Sequence, residues 1–289
     1  MKANLTCINC MLGKAEQNYL NYDQSEDGLL HFMKEIYGEI SESHELDTAP
    51  LLYSKINAIL ENKFDIGDPF YTQKRHYNQF LMLKEMEIVK RIQESEDQLM
   101  SALQFAMIGN LIDFGAMDTV DEGKLNKLIE RAGDQNLDSH TVKDFRQELE
   151  LGHKLVYLTD NAGEIVFDKI LIQTIQQLYP EVNIQVIVRG GVALNDALME
   201  DAVEVGLTKI VPVMGNGTKI PGTQLGVISQ EAQDAIDSAD FILSKGQGNF
   251  ESLSETGRNI YFLFLCKCQL FIDRFQTKQF QGIFVKEQL

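Results

Sequence analysis

The chain reads as an α/β protein: a parallel sheet covered by helices on both faces, reached after a mostly helical first half. Two observations predict this. From residue 154 onward, short apolar runs of strand length alternate with helix-patterned segments, the pattern of βαβ units with right-handed crossovers. Before residue 151 there are long stretches of strong helix formers, with apolar residues three and four apart, which is one face of a helix. The change falls near Leu151-Gly152-His153, giving a helical region over 1–150 and an α/β domain over 151–289. No Gly/Ser- or Pro-rich linker separates them. The helical half is therefore expected to pack on the sheet and close one side of a cleft.

The elements follow in chain order. Segment 41–61 carries loop signals at Asp47-Thr48-Ala49-Pro50 and then runs helical. Asp68-Pro69-Phe70 fits a helix start, with Asp68 as N-cap and Pro69 at the first helical position. Residues 77–98 lack Gly and Pro and are rich in helix formers. Met100, Leu103, Met107, Leu111 and Phe114 form one helical stripe, with Gly115 expected to follow it and 118–123 expected as loop. Strands are expected at 154–159, 183–188, 209–213, 241–244 and 260–266. Between them, Phe167, Leu171, Ile175 and Leu178 form another helical stripe, and 197–205 and 230–238 fill two further connections.

Composition limits the function classes. A net charge of −17 over 289 residues argues against a nucleic-acid surface. It leaves room for a small phosphorylated ligand, because one local cation can override the global field. No apolar run reaches the ~18 residues of a membrane span, and no signal peptide is visible. A cytoplasmic location with reduced thiols is the expectation. The four cysteines, Cys7, Cys10, Cys266 and Cys268, are open to three readings: packed structural thiols, a four-thiolate zinc site, or a redox pair.

Polar chemistry gathers after the strands. Asp160 and Asn161 follow the first, Arg189-Gly190-Gly191 with Asn195 and Asp196 follow the second, and Lys245-Gly246-Gln247-Gly248 follow the fourth. In a parallel sheet these segments emerge at one edge, where open α/β sheets bind ligands. Asp160, Asn161 and Asp196 offer hard oxygen ligands that could converge on one divalent cation. Lys245 would balance charge on phosphoryl oxygens, and Gly246 and Gly248 would let backbone N–H groups approach them. Segment 215–222 is either a plain connection or a substrate lid. Each piece also has an ordinary reading as a turn or helix cap; together they point to metal-assisted phosphate chemistry. Rival chemistries lack their marks. There is no G-x-G-x-x-G after the first strand, no G-x-x-x-x-G-K-[ST], no G-x-S-x-G, no paired histidines, and no Asp-x-Asp.

With Asp168, Pro221-Gly222-Thr223 and the run Lys245-Gly246-Gln247-Gly248-Asn249-Phe250-Glu251 added, the chain resembles the DUF89 family, damage-control phosphatases with an ARMT1-like metal-binding domain. Cys7-x-x-Cys10, Asp68-Pro69-Phe70 with Lys74, Gly109-Asn110-x-x-Asp113 and Cys268 resemble its prokaryotic branch. The resemblance implies a three-layer α/β/α Rossmann-like sandwich with a mostly parallel sheet, plus an N-terminal helical region. It implies a divalent-metal-dependent phosphatase of small phosphorylated metabolites, such as sugar phosphates, nucleotides or phosphopantetheine-like esters. Asp160, Asn161 and Asp196 would hold the metal, with Lys245 beside the phosphate. Asn110, Gly246, Gly248, Asn249 and Glu251 would face substrate, and Asp160 or Glu251 are the candidate bases. Manganese, cobalt, nickel and magnesium all suit mixed oxygen ligands.

The chain departs from the family in two places. The loop before Asn195 lacks a proline, and the end after Cys268 is irregular, which leaves the edge strand unplaced. The alternatives are a non-catalytic phospho-metabolite sensor and a carboxyl methyltransferase, the latter without the glycine-rich loop its cofactor needs.

Overall fold

The computed structural model describes residues 1–112 and 122–287. Six strands form one sheet: β1 (Lys154–Leu158), β2 (Asn183–Val188), β3 (Val213–Gly215), β4 (Phe241–Lys245), β5 (Ile260–Leu265) and β6 (Gly282–Lys286). Their order is β3-β2-β1-β4-β5-β6. The first five are parallel, and β6 runs antiparallel to β5. The connection reverses direction at β1, whose neighbours are β2 and β4. This switch point opens a crevice at the carboxyl ends of those strands.

Side-chain alternation sorts the sheet into two faces. Leu155, Tyr157, Val186, Val188, Phe241, Leu243, Tyr261 and Leu263 enter one core, packed under helices α4 (Tyr71–Gln93), α5 (Gln98–Gly109), α7 (Ser139–Leu151), α8 (Glu164–Leu178) and α9 (Met199–Glu204). Val156, Leu158, Ile187, Ile242, Ile260, Phe262 and Phe264 enter the other, under α10 (Gln230–Asp237), α11 (Gln247–Leu253) and α12 (Gln269–Phe275). The result is the expected three-layer α/β/α architecture. Helix α8 is buried on nearly every side, from Glu164 through Ile172. A helix apolar all round needs a second cover, and α4 and α5 supply it.

Helices α1 (Leu5–Leu20), α2 (Glu26–Glu42) and α3 (Ala49–Glu61) build a third, smaller core around Phe32, Ile36 and Ile56. Helix α3 packs on α11. The amino terminus donates to the Glu251 carbonyl at 2.8 Å, and Thr48 Oγ1 donates to Gln224 Oε1 at 2.7 Å.

Several boundaries differ from the sequence reading. The third strand is not 209–213: residues Leu207–Lys209 form a 3-10 turn, and β3 is Val213–Gly215. Pro212 lacks an N–H, so it serves only as acceptor, from Val186 N at 3.0 Å. The helical stretch 77–98 is two helices, because Asp97 caps α5 by accepting from Met100 N. Asp68 is not the N-cap of α4. It accepts from Phe70 N at 2.9 Å one step earlier and pairs with Lys74 at 3.1 Å. Glu122 and Gly123 open α6 (Glu122–Glu130) rather than ending a loop. Phe114, Gly115, Asp113 and 118–121 lie outside the described residues. The irregular end resolves into α12 and β6, joined through left-handed Gln276 and Phe280.

Phe145 of α7 sits fully buried against the rings of Phe241, Tyr261 and Phe284. Phe145→Ala leaves a cavity between α7 and three strands and is expected to cost roughly 3–5 kcal/mol, measured by urea unfolding. A cost below about 1 kcal/mol contradicts this packing.

Candidate active site

Three segments lock together at the carboxyl edge. The Ala197 N–H donates to the Asp160 carbonyl at 2.7 Å, and the Ala162 N–H donates to the Asn195 carbonyl at 2.9 Å. Asn161 and Asp196 pair as an isolated antiparallel bridge. The backbone thus brings together Asp160, Asn161 and Asp196, the three residues nominated as metal ligands.

Their side chains sit in one hydrogen-bond net. Asp160 Oδ2 accepts from Asn110 Nδ2 and from Asn161 Nδ2, each at 2.8 Å. The same two amides donate to Glu164 Oε2, at 3.0 and 2.8 Å. Asn195 Nδ2 donates to Asn161 Oδ1 at 2.8 Å, which fixes the amide orientation. Arg189 Nε donates to Asp196 Oδ2 at 2.6 Å. Tyr53 of α3 is close enough for the Asp196 charge to act on it: burial first, then Asp196, pushes its phenol up to about 12.

Lys245 belongs to this net but not in the predicted role. It is 0% exposed. Its ammonium donates to Glu164 Oε1 at 2.7 Å, Asp168 Oδ1 at 2.7 Å and the Ala106 carbonyl at 3.0 Å. These are three acceptors for three protons. Burial opposes the Lys245 charge, yet Asp168 and Glu164 hold its pKa above the usual lysine range. Burial pushes the Asp168 carboxyl up, against the pull of Lys245. Tyr157 OH also donates to Asp168 Oδ1, at 2.6 Å.

Asn110 and Asn249 are braces rather than exposed contacts. Asn110 Oδ1 accepts from Leu265 N at 2.9 Å, tying α5 to β5. Asn249 donates to the Thr159 and Lys245 carbonyls at 3.0 and 2.8 Å, and accepts from Thr223 Oγ1 at 2.8 Å. Gly246 has φ +82°, and a Cβ there would strike the Asp160 carboxylate. Its N–H donates to the Leu263 carbonyl at 3.3 Å. A Cβ on Gly248 would strike the Pro221 carbonyl.

Glu251 is not brought to the net. Gln247 Nε2 donates to it at 3.2 Å. It lies in the field of the amino terminus, Cys7 and Cys268, on the other side of α11. Burial pushes its carboxyl up to about 7. The four cysteines are free. Cys266 packs in the core, and Cys268 caps α12 instead of continuing β5. Among the described residues, no group of three or more His, Cys, Asp or Glu side chains is placed to hold a metal. The residues that the net does assemble for one are two carboxylates and an amide. Glu164, Asp168, Tyr157, Arg189, Asn195 and Tyr53 carried no role from sequence; for Tyr157 and Arg189 position in or just after a strand was the available signal, and Glu164 and Asp168 lie one helical turn apart at the start of α8.

Among the described residues, the net holds four buried carboxylates, Asp160, Glu164, Asp168 and Asp196, and two buried cations, Arg189 and Lys245. Two negative charges in excess inside the protein are costly. A divalent cation held by Asp160, Asn161 and Asp196 balances that count, and the donor set is all hard oxygen. The residues present therefore fit such an ion.

Lys245→Met leaves Glu164 and Asp168 without their cation and is expected to cost roughly 3–5 kcal/mol in urea unfolding. A neutral result contradicts the buried pair. For Glu251 the folded pKa is raised, from 4.5 to about 7. Its contribution to stability is thus full below pH 4.5 and is lost as pH rises through about 7. Glu251→Gln is expected to raise the melting temperature at about pH 8 and leave it unchanged at about pH 4. Equal shifts at both values would rule out titration as the cause.

With this geometry in view, comparison with known proteins is direct. Residues 3–281 match the damage-control phosphatase ARMT1-like domain. The chain is 30% identical to a damage-control phosphatase of Pyrococcus horikoshii over 271 residues, covering 93% of this chain and 92% of the relative. It is 28% identical to a damage-control phosphatase of Archaeoglobus fulgidus over 276 residues, covering 93% of each. A crystal structure of a DUF89 family protein from Pyrococcus horikoshii superposes with a TM-score of 0.85 at 28% identity, covering 100% of both chains. These relatives support a phosphatase role, and the chain belongs to the damage-control phosphatase ARMT1-like (DUF89) family.

Proposed function

We propose that this protein is a divalent-metal-dependent phosphatase that hydrolyses small phosphorylated metabolites in the cytoplasm. The observation that carries the reading is the convergence of Asp160, Asn161 and Asp196 in a net with two excess negative charges. When bound there, a divalent ion such as manganese, cobalt, nickel or magnesium supplies Lewis-acid polarisation of a phosphoryl oxygen and positions water for in-line attack.

The chain's own residues preorganise that chemistry. The amides of Asn110 and Asn161 hold Asp160, and Asn195 turns Asn161 so that its amide cannot flip. Arg189 holds Asp196. Fixed dipoles of this kind need no rearrangement as charge develops. The helical region 1–150 contributes the brace Asn110 from α5 and, from α3, Tyr53, the part of it that serves as a wall selecting substrate. Tyr53 stays protonated at neutral pH and can donate to an ester or sugar oxygen. The division at 150/151 separates that wall from the metal-holding α/β part.

Phosphate release is measured on metal-stripped protein with each ion restored, across sugar phosphates, nucleotides and phosphopantetheine compounds. Wild type is expected to turn over at least one class only with metal. Asp160→Asn is expected to lose about a thousandfold in rate while melting like wild type. Undiminished release by that variant would sink the assignment. Silence of wild type across the panel, with metal binding intact, favours the sensor.

A further inference from the structure

The cation nominated for the phosphate, Lys245, is spent inside the protein on Glu164, Asp168 and Ala106. Other basic groups of the surrounding helices are also engaged: Lys74 with Asp68, Arg75 with Glu204, Lys169 with Glu85. Lys219 and Lys267 follow β3 and β5 at the carboxyl edge, Lys219 with Glu61 3.4 Å away. Among the described residues, two arginines keep a buried N–H group without a partner, Arg189 at Nη2 and Arg258 at Nε. Arg258 lies just before β5, at the opposite edge of the sheet. Arg189 ends β2 at the carboxyl edge, beside Asp196.

The guanidinium is aimed by two loops and by α11. Nε donates to Asp196 Oδ2 at 2.6 Å and Nη1 to the Gly222 carbonyl at 2.6 Å, with Thr223 Oγ1 and Asn249 Oδ1 each 3.5 Å from Nη1. A guanidinium is planar, and its Nε–H and one Nη2–H run parallel along one edge. The unpartnered Nη2 therefore emerges on the edge that faces the Asp196 carboxylate. Leaving such a buried donor unpaired is unfavourable, and a bound anionic oxygen relieves it. An oxygen shared between that N–H and a cation on Asp196 is what a phosphoryl group offers.

We propose that Arg189 is the catalytic residue that grips the transferred phosphoryl group, through Nη2, while Lys245 only positions the net. The proposal rests on reading the site as one that handles phosphate. Inorganic phosphate is titrated calorimetrically into manganese-loaded wild type, Arg189→Lys and Arg189→Gln, and manganese alone into each. Phosphate affinity is expected to fall ten- to a hundredfold in Arg189→Lys, and further in Arg189→Gln, a loss larger than any change in manganese affinity that follows from releasing Asp196.

An unchanged phosphate affinity, or one that falls only in step with manganese, overturns the proposal, since a purely structural tether predicts the latter. Failure of wild type to bind phosphate also overturns it. Should both variants misfold, wild-type crystals grown with manganese and phosphate decide: a phosphate oxygen on Arg189 Nη2 supports it, and one on Lys245 Nζ instead overturns it. Phosphate held by Arg189 in a protein that hydrolyses no ester removes the phosphatase reading and overturns the catalytic role with it, leaving Arg189 a phosphate-binding residue.

Discussion

The site depends on one ammonium group placed where no water reaches. Lys245 leaves the end of β4, passes under α8 and ends at the Ala106 carbonyl of α5. Three elements are tied at one atom. A buried ion pair seldom stabilises more than a well-packed apolar replacement, so its value here is in placement. Lys245 fixes Glu164, Glu164 accepts from the amides of Asn110 and Asn161, and those amides hold Asp160. A displacement of the lysine would reach the candidate metal ligand in three steps.

The charge balance follows from the same arrangement. Lys245 sits between the two carboxylates of α8 and Arg189 on Asp196, so among the described residues the net gathers four carboxylates to two cations. The chain as a whole carries −17, a field that repels phosphate. Salt screens such a field beyond ~8 Å. Recognition of an anion must then come from charges inside that distance, which is where a divalent ion and a guanidinium would act.

Much of this was legible in the sequence, and the misses have physical causes. Parallel strands covered on both faces are continuous apolar runs, so β1, β2, β4 and β5 stood out to within a residue or two. The third strand did not, because Ile210 and Val211 looked like strand while Pro212 barred the ladder. The sixth is a half-buried antiparallel edge whose apolar run is only Ile283-Phe284-Val285, too short to stand out after an irregular stretch. Topology alone put Asp160, Asn161 and Asp196 at one edge. The role given to Lys245 ignored parity: residues 241, 243 and 245 share a face, and Phe241 and Leu243 point into the α8 core. Parity also separates Asn249 from Glu251. Two residues apart on a helix means nearly opposite sides, so only Asn249 turns inward. Tyr53 had no local signal, since only the docking of α3 on α11 brings it near Asp196.

Gly246 and Gly248 beside Lys245 suggest backbone N–H groups open to phosphate oxygens, and the glycines of this edge also mark the places where its loops touch. Gly246 admits the Asp160 carboxylate, Gly248 admits the Pro221 carbonyl, and Gly190 admits the backbone of Gly217. Gly222 in turn lies against Ser252 and the Gly248 carbonyl. The four loops of the carboxyl edge are thus seated on one another through their main chains, and a single Cβ would push Asp160 off its amides. An edge built this way cannot adapt to many substrates by moving. The helical region is held against the same edge, since Asn78 Oδ1 accepts from Gly163 N at 2.6 Å and the Ile112 carbonyl accepts from Asn195 Nδ2 at 3.2 Å, so the cleft wall is fixed as firmly as the loops beneath it.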